Sequence, residues 1–153
     1  MRDGRLTVTF IDRNRILILI DSFEKQTFSE CGFVRDFRKE LRKANALAPE
    51  RMPKNVVTLH SACRVRNLVT GDEKVITLVF PNEMRLGHAP RQSGVSILSP
   101  LGSALFGRTV GDIIERPVKT RVEEILYQPE AAGEYIHKGA GHGYAGLSHP
   151  VGR

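Results

Sequence analysis

Few residues in this chain combine types and spacing that could do chemistry. His60, Ser61 and Cys63 lie close enough in sequence to suggest a nucleophile with its base. In Val57–Arg66, however, apolar or small residues alternate with Thr58, His60, Arg64 and Arg66, the pattern of a half-buried strand. A strand sends His60 and Cys63 to opposite faces, and neither has an evident orienting partner. His137, His142 and His149 match no compact metal site, and Cys31 and Cys63 alone cannot build a four-thiolate zinc site. Asp21, Glu24 and Glu30 fall where two helices are joined. Acids at a loop tip can hold Mg²⁺ through oxygen, and equally they can be ordinary surface charges. The chain has no GxGxxG, Walker loop, HExxH or G-x-S-x-G motif. No catalytic residue, metal or cofactor is therefore expected.

The elements that must position these residues divide into two parts. Residues 6–11 read as a short strand or extended arm. From Asp12, taken as an N-cap, Ile16, Leu17, Ile20 and Phe23 recur at helical spacing, with strand as a rival because of the β-branched residues. Residues 24–32 read as a polar connection. Phe33, Phe37, Leu41, Ala44 and Ala48 then define an amphipathic helix of about 14 residues, or about 21 Å, closed by Pro49 and Pro53. Together they make an N-terminal antiparallel helical hairpin over residues 1–53.

Beyond Pro53 the apolar period changes from 3.6 to 2, marking a second unit over 54–136. Strands are predicted over 57–66, 74–80, 95–98, 113–118 and 121–127, with a bulge where Glu123-Glu124 breaks alternation. Ser99 as cap and Pro100 at the first helical position open a short helix that stops at Gly107. The fold class is therefore α+β, with one short helix lying on an antiparallel sheet. The tail, residues 137–153, is rich in glycine and poor in apolar side chains, and disorder is expected there.

The chain has 153 residues and a formal net charge of +6. Residues 1–54 hold 12 Lys/Arg against 8 Asp/Glu, whereas 55–136 hold 9 of each. Arg35, Arg38, Lys39, Arg42 and Lys43 would form the outer face of the second helix, able to meet nucleic-acid phosphates or an acidic protein wall. The face lacks interleaved aromatics, so only weak, non-specific nucleic-acid or DNA contact is expected. The longest apolar run, Ile16–Ile20, is too short for a membrane span or a signal core. A monomer in a reducing cytoplasm, with no membrane partner, is expected.

Four stretches resemble a known family. They are Met52-Pro53-x-x-Val56-Val57-Thr58-x-x-Ser61, Arg66-Asn67-Leu68, Ser99-Pro100-Leu101-Gly102-x-Ala104-Leu105-x-Gly107-x-x-Val110-Gly111-Asp112, and Tyr127-Gln128-Pro129-Glu130-Ala131-Ala132-Gly133-x-Tyr135. The pattern is similar to the Rnk proteins, described as regulators of nucleoside diphosphate kinase and grouped with the GreA/GreB transcription elongation factors. The resemblance covers about residues 8–135.

It implies a short N-terminal coiled-coil hairpin followed by an FKBP-like domain. It also implies docking on RNA polymerase at the rim of the secondary channel, on the β′ subunit. Ser99 and Pro100 would carry the docking, with Leu98 and Leu101 as neighbours. Relatives tend to have Asp or Asn where this chain has Leu98. In Gre factors an acidic hairpin tip assists transcript cleavage. Asp21, Glu24 and Glu30 form no acidic couplet that matches it, so cleavage is not expected. The expected function is modulation of elongation, in possible competition with Gre factors. The alternatives are a cleavage-stimulating factor and control of nucleoside diphosphate kinase levels.

Overall fold

A computed structural model describes residues 5–27, 32–85 and 93–134 of the chain. The chain enters through β1 (Thr7–Thr9) and passes directly into α1 (Phe10–Thr27). Helix wins over strand because Ile16 and Ile20 are buried one turn apart while Ile18, between them, is 67% exposed. The cap is Thr9 rather than Asp12: the Asp12 N–H donates to Thr9 Oγ1 at 3.0 Å, and the helix begins three residues earlier than that cap implies. It also runs to Thr27, through part of the segment read as a polar connection.

Helix α2 (Gly32–Lys43) buries Val34, Phe37 and Leu41 on one stripe. It is 12 residues long, shorter than expected, and Ala44 and Ala48 lie beyond it. The backbone instead forms β2 (Asn45–Leu47), which pairs in parallel with β1 in the register Thr7↔Asn45, Val8↔Ala46 and Thr9↔Leu47. The Asn45 N–H donates to the Leu6 carbonyl at 2.8 Å, and Pro49 starts a 3₁₀ turn that bars further helix.

The second unit is a five-stranded sheet of β3 (Ala62–Asn67), β4 (Glu73–Val79), β5 (Gly94–Ser96), β6 (Ile113–Ile114) and β7 (Thr120–Tyr127) in the order β5-β4-β3-β7-β6. Its pairings are antiparallel except β4 with β5. The parallel edge departs from the antiparallel expectation because a long connection carries the chain from the end of β4 back to β5. That connection begins with α3 (Pro81–Arg85). Between β3 and β7 the register slips twice, leaving Leu126 and Glu123 as extra residues, so the expected bulge is present. Strand β3 starts at Ala62 rather than Val57. The Ser61 N–H donates to the Thr58 carbonyl at 3.0 Å, and His60 has φ 69°, so residues 58–61 form a turn. Strand β6 ends at Ile114 instead of 118, ahead of Pro117, which has no N–H to give a ladder.

Helix α4 (Pro100–Leu105) is the expected short helix, and α5 (Pro129–Ala132) closes the described chain. Helix α4 lies so close to β5 that a Cβ on Gly102 would fall 2.0 Å from the Ser96 carbonyl oxygen. One buried cluster includes Ile16, Ile20, Val34 and Leu41 from the hairpin together with Cys63, Leu78, Ile97, Phe106 and Val122 from the sheet unit. At Gly107, φ 80° and a position where a Cβ would stand 2.8 Å from Leu6 Cβ together require glycine. None of the helices among the described residues is long and apolar enough to cross a membrane.

Candidate docking site

The Ser99-Pro100 segment is built by helix capping. Ser99 Oγ accepts from the Gly102 N–H at 3.0 Å and donates to the Ser96 carbonyl at 2.7 Å. Its hydroxyl is thereby committed to starting α4 against β5. Leu98 and Leu101 are half-buried against the core, which leaves Pro100 as the exposed member of the group. The four residues therefore divide into one cap, two packing residues and one exposed ring.

Pro100 stands at the edge of a groove of about 590 Å³. One wall is α2, through Phe33 and Phe37; the other holds Ala104, Ile113 and Pro117 from the sheet unit. Asp36, Glu40, Arg108 and Arg116 add charge to the lining. Arg108 bridges the walls, with Nη2 3.6 Å from Glu40 Oε1 and Nε donating to the Ala104 carbonyl at 3.1 Å. The groove can therefore take an apolar ridge between charged flanks. The sequence offered no sign of it, since its walls are 60 or more residues apart.

The hairpin charges are arranged differently from the sequence reading. Asp21 and Glu24 lie in the last two turns of α1, at the end that leads to α2. Arg38 Nη2 donates to Asp21 Oδ1 at 3.0 Å and to Glu24 Oε1 at 2.5 Å. Arg38 thus leaves the outward basic face: its side chain is 18% exposed and neutralises two acids across the hairpin. Charge pairing over the shared apolar seam explains the exchange. Arg35, Lys39, Arg42 and Lys43 remain exposed on α2. Glu30, Cys31 and the tail 137–153 lie outside the described residues. Among the described residues no cluster of three His, Cys, Asp or Glu side chains could hold a metal.

A polar junction, not anticipated, lies where the hairpin meets the sheet unit. The Thr58 hydroxyl donates to Glu130 Oε1 at 2.7 Å, and the Ser61 and Thr58 hydroxyls are 2.6 Å apart. The Thr58 N–H donates to Ser61 Oγ at 2.9 Å. Gln128 Nε2 donates to the Pro53 and Val56 carbonyls at 2.8 and 2.9 Å. Two sequence motifs, Val56-Val57-Thr58-x-x-Ser61 and Gln128-Pro129-Glu130, thus meet in space. His60 Nε2 lies 2.9 Å from both carboxylate oxygens of Glu83. Asp12 faces the same junction. Burial first, then the charge of Glu130, pushes its carboxyl up to about 7, against the opposing pull of Arg15, His60 and the Leu59 N–H. Glu130 is also raised, chiefly by burial. Cys63 is fully buried, and burial pushes its thiol up to about 12, which keeps it unreactive at neutral pH.

Comparison with known proteins agrees with this architecture. The family model described as transcription elongation factor, GreA/GreB, C-term matches residues 52–127. The regulator of nucleoside diphosphate kinase from Escherichia coli K12 is 37% identical over 137 residues, covering 86% of this chain and 96% of that protein. Transcription elongation factor GreA from Thermodesulfovibrio yellowstonii is 34% identical over 105 residues, covering 67% of this chain and 63% of that protein. Among solved structures, a prokaryotic transcription elongation factor GreA/GreB from Nitrosomonas europaea superposes with a TM-score of 0.66 at 30% identity. That match covers 82% of this chain and all of the other.

Proposed function

Since this chain belongs to the GreA/GreB family, on the branch of the regulators of nucleoside diphosphate kinase, we propose that it binds RNA polymerase and modulates transcript elongation without being an enzyme. The observation that carries this reading is the exposed Pro100 ring lining a groove whose apolar walls carry charged flanks. In this reading the sheet unit, residues 54–136, docks at the secondary-channel rim on the β′ subunit, and Pro100 with the groove supplies the contact. The hairpin, residues 1–53, reaches toward the channel. Arg35, Lys39, Arg42 and Lys43 face an acidic polymerase wall or nucleic-acid phosphates there, in a salt-dependent contact. The protein acts as a cytoplasmic monomer that competes with Gre factors for one docking place.

Transcript cleavage is not part of the proposal. Arg38 holds one carboxylate oxygen of Asp21 and one of Glu24 and offsets their charge, so a polymerase Mg²⁺ would have to compete with that cation for them. The relative's name points to nucleoside diphosphate kinase, and in this proposal altered kinase levels follow from altered transcription.

The test is competition between the purified protein and a labelled Gre factor for core RNA polymerase. The proposal expects displacement by the parent protein and its loss in Pro100→Glu. Absence of binding at micromolar concentration and low salt overturns it. Stimulated RNA cleavage in the same complexes would instead establish the cleavage-factor alternative.

A further inference from the structure

An acid in the first turn of a helix ordinarily faces water and gains from the helix dipole. Asp12 occupies that position in α1 and is nevertheless 6% exposed, with Oδ2 lacking a hydrogen-bond partner. Three elements close around it. Helix α1 contributes Arg15, whose Nη1 is 3.8 Å from Asp12 Oδ1. The 58–61 turn contributes the Leu59 N–H and the His60 ring, and α5 contributes Glu130.

Two of these groups are held in place. Glu130 is tied to Thr58, while His60, in a left-handed backbone conformation, is tied to Glu83 of α3. Glu83 also accepts the Phe80 N–H at 2.7 Å. Glu130 and His60 are therefore committed elsewhere and do not serve the orphan oxygen of Asp12. When Asp12 is ionised, two carboxylates share a largely dry junction, with Arg15 too distant for a good hydrogen bond. When it is protonated, the repulsion ends and the acid becomes a donor.

We propose that Asp12, facing Arg15, His60 and Glu130, is a proton-operated latch that seats the hairpin on the sheet unit. With Asp12 protonated, α1 rests on the 58–61 turn and α5. With Asp12 ionised, repulsion from Glu130 and entry of water lift the first turn of α1 from that seat. The consequence for binding rests on the docking reading above: α2 follows α1, and α2 is one wall of the groove, so raising the pH alters the spacing between Phe33 and Phe37 and the Ile113–Pro117 wall.

The test needs no polymerase. Spin labels are attached to the full chain at Lys39→Cys on α2 and Lys119→Cys on the sheet unit, both exposed, with Cys31→Ser leaving only the buried Cys63. The expected result is a narrow distance distribution at pH 5.5 that lengthens or broadens at pH 8.5, and one that stays narrow at both in Asp12→Asn. Identical distributions at both pH values in the parent, or a pH response that persists in Asp12→Asn, overturn the latch.

Should Asp12→Asn fail to fold, carbon-13 titration of the Asp12 carboxyl in the parent protein decides the matter. A midpoint near neutrality supports the latch, and one in the ordinary carboxylate range removes it. Polymerase affinity in the two buffers is scored separately. Labels that move while affinity stays constant leave the latch standing and count against the groove as the docking place.

Discussion

Phe37 meets Phe106 edge to face, with ring centroids 6.1 Å apart and planes at 86°. The first ring belongs to the hairpin and the second to the sheet unit, so this contact joins the two parts. Phe37 is 4% exposed and Phe106 1%. Phe37→Ala should cost about 3–5 kcal/mol, the usual range for deleting a buried aromatic ring. Urea unfolding should show a lower midpoint in a single transition. A hairpin that melts before the sheet would show that the joint is weaker than this packing implies.

Gly102 makes a sharper steric prediction. An alanine methyl there would overlap the Ser96 carbonyl, and rigid backbone cannot yield as a side-chain end can. Gly102→Ala should therefore destabilise by about 1–3 kcal/mol through overpacking. Thermal unfolding checks it, and an unchanged midpoint would mean that α4 shifts freely over β5.

Ser99 and Pro100 should separate structure from binding. Ser99→Ala removes a cap, worth about 1 kcal/mol of stability, while leaving the outward surface intact. Pro100→Glu changes an exposed ring and should leave the melting temperature nearly constant while abolishing polymerase competition. Equal effects of the two variants on binding would assign the contact to the loop's shape rather than to the proline ring.

Arg38→Ala should lower stability by about 1 kcal/mol, the modest scale of a partly exposed ion-pair network. It leaves Asp21 and Glu24 without their shared cation. If that pairing is what suppresses Mg²⁺ assistance, Arg38→Ala is the variant in which transcript cleavage should become detectable. A cleavage assay with a backtracked complex gives the answer.

Stability should depend on pH through Asp12. Its carboxyl lies near 7 in the folded chain and in the ordinary range near 3.8 when unfolded. Between these values the folded state holds the extra proton, so the contribution from Asp12 is complete below the lower value and is lost as pH rises through the upper one. Urea unfolding at pH 5.5 and pH 8 should show this decline, and Asp12→Asn should flatten it.

Sequence periodicity revealed what depends on one-sided burial. Val34, Phe37 and Leu41 mark α2, and the alternation around Cys63 and Val65 marks β3. Glu123 betrayed the bulge because it broke that alternation. What stayed hidden depends on partners distant in sequence. Ala44 and Ala48 continue a helical pattern, yet the ladder to Thr7–Thr9 claims Asn45–Leu47. Thr58 and His60 look like strand residues until the turn to Ser61 and the Glu83 contact draw them out of it. Arg38 reads as a surface cation because nothing in its own helix shows that Asp21 and Glu24 lie opposite. The burial of Asp12 was illegible for the same reason: an acid near a helix start looks like a cap.

The parallel pairing of β1 with β2 fixes the hairpin at both ends. Everything from Phe10 to Lys43 is thus inserted between two clamped strands, and residues added beyond the part packed on the sheet unit leave the clamp's register unchanged. Whole helical turns added to α1 and α2 at their far ends would extend the reach of the molecule by about 5.4 Å each without disturbing the clamp. The clamp thus separates the length of the hairpin from the register of the strands that hold it.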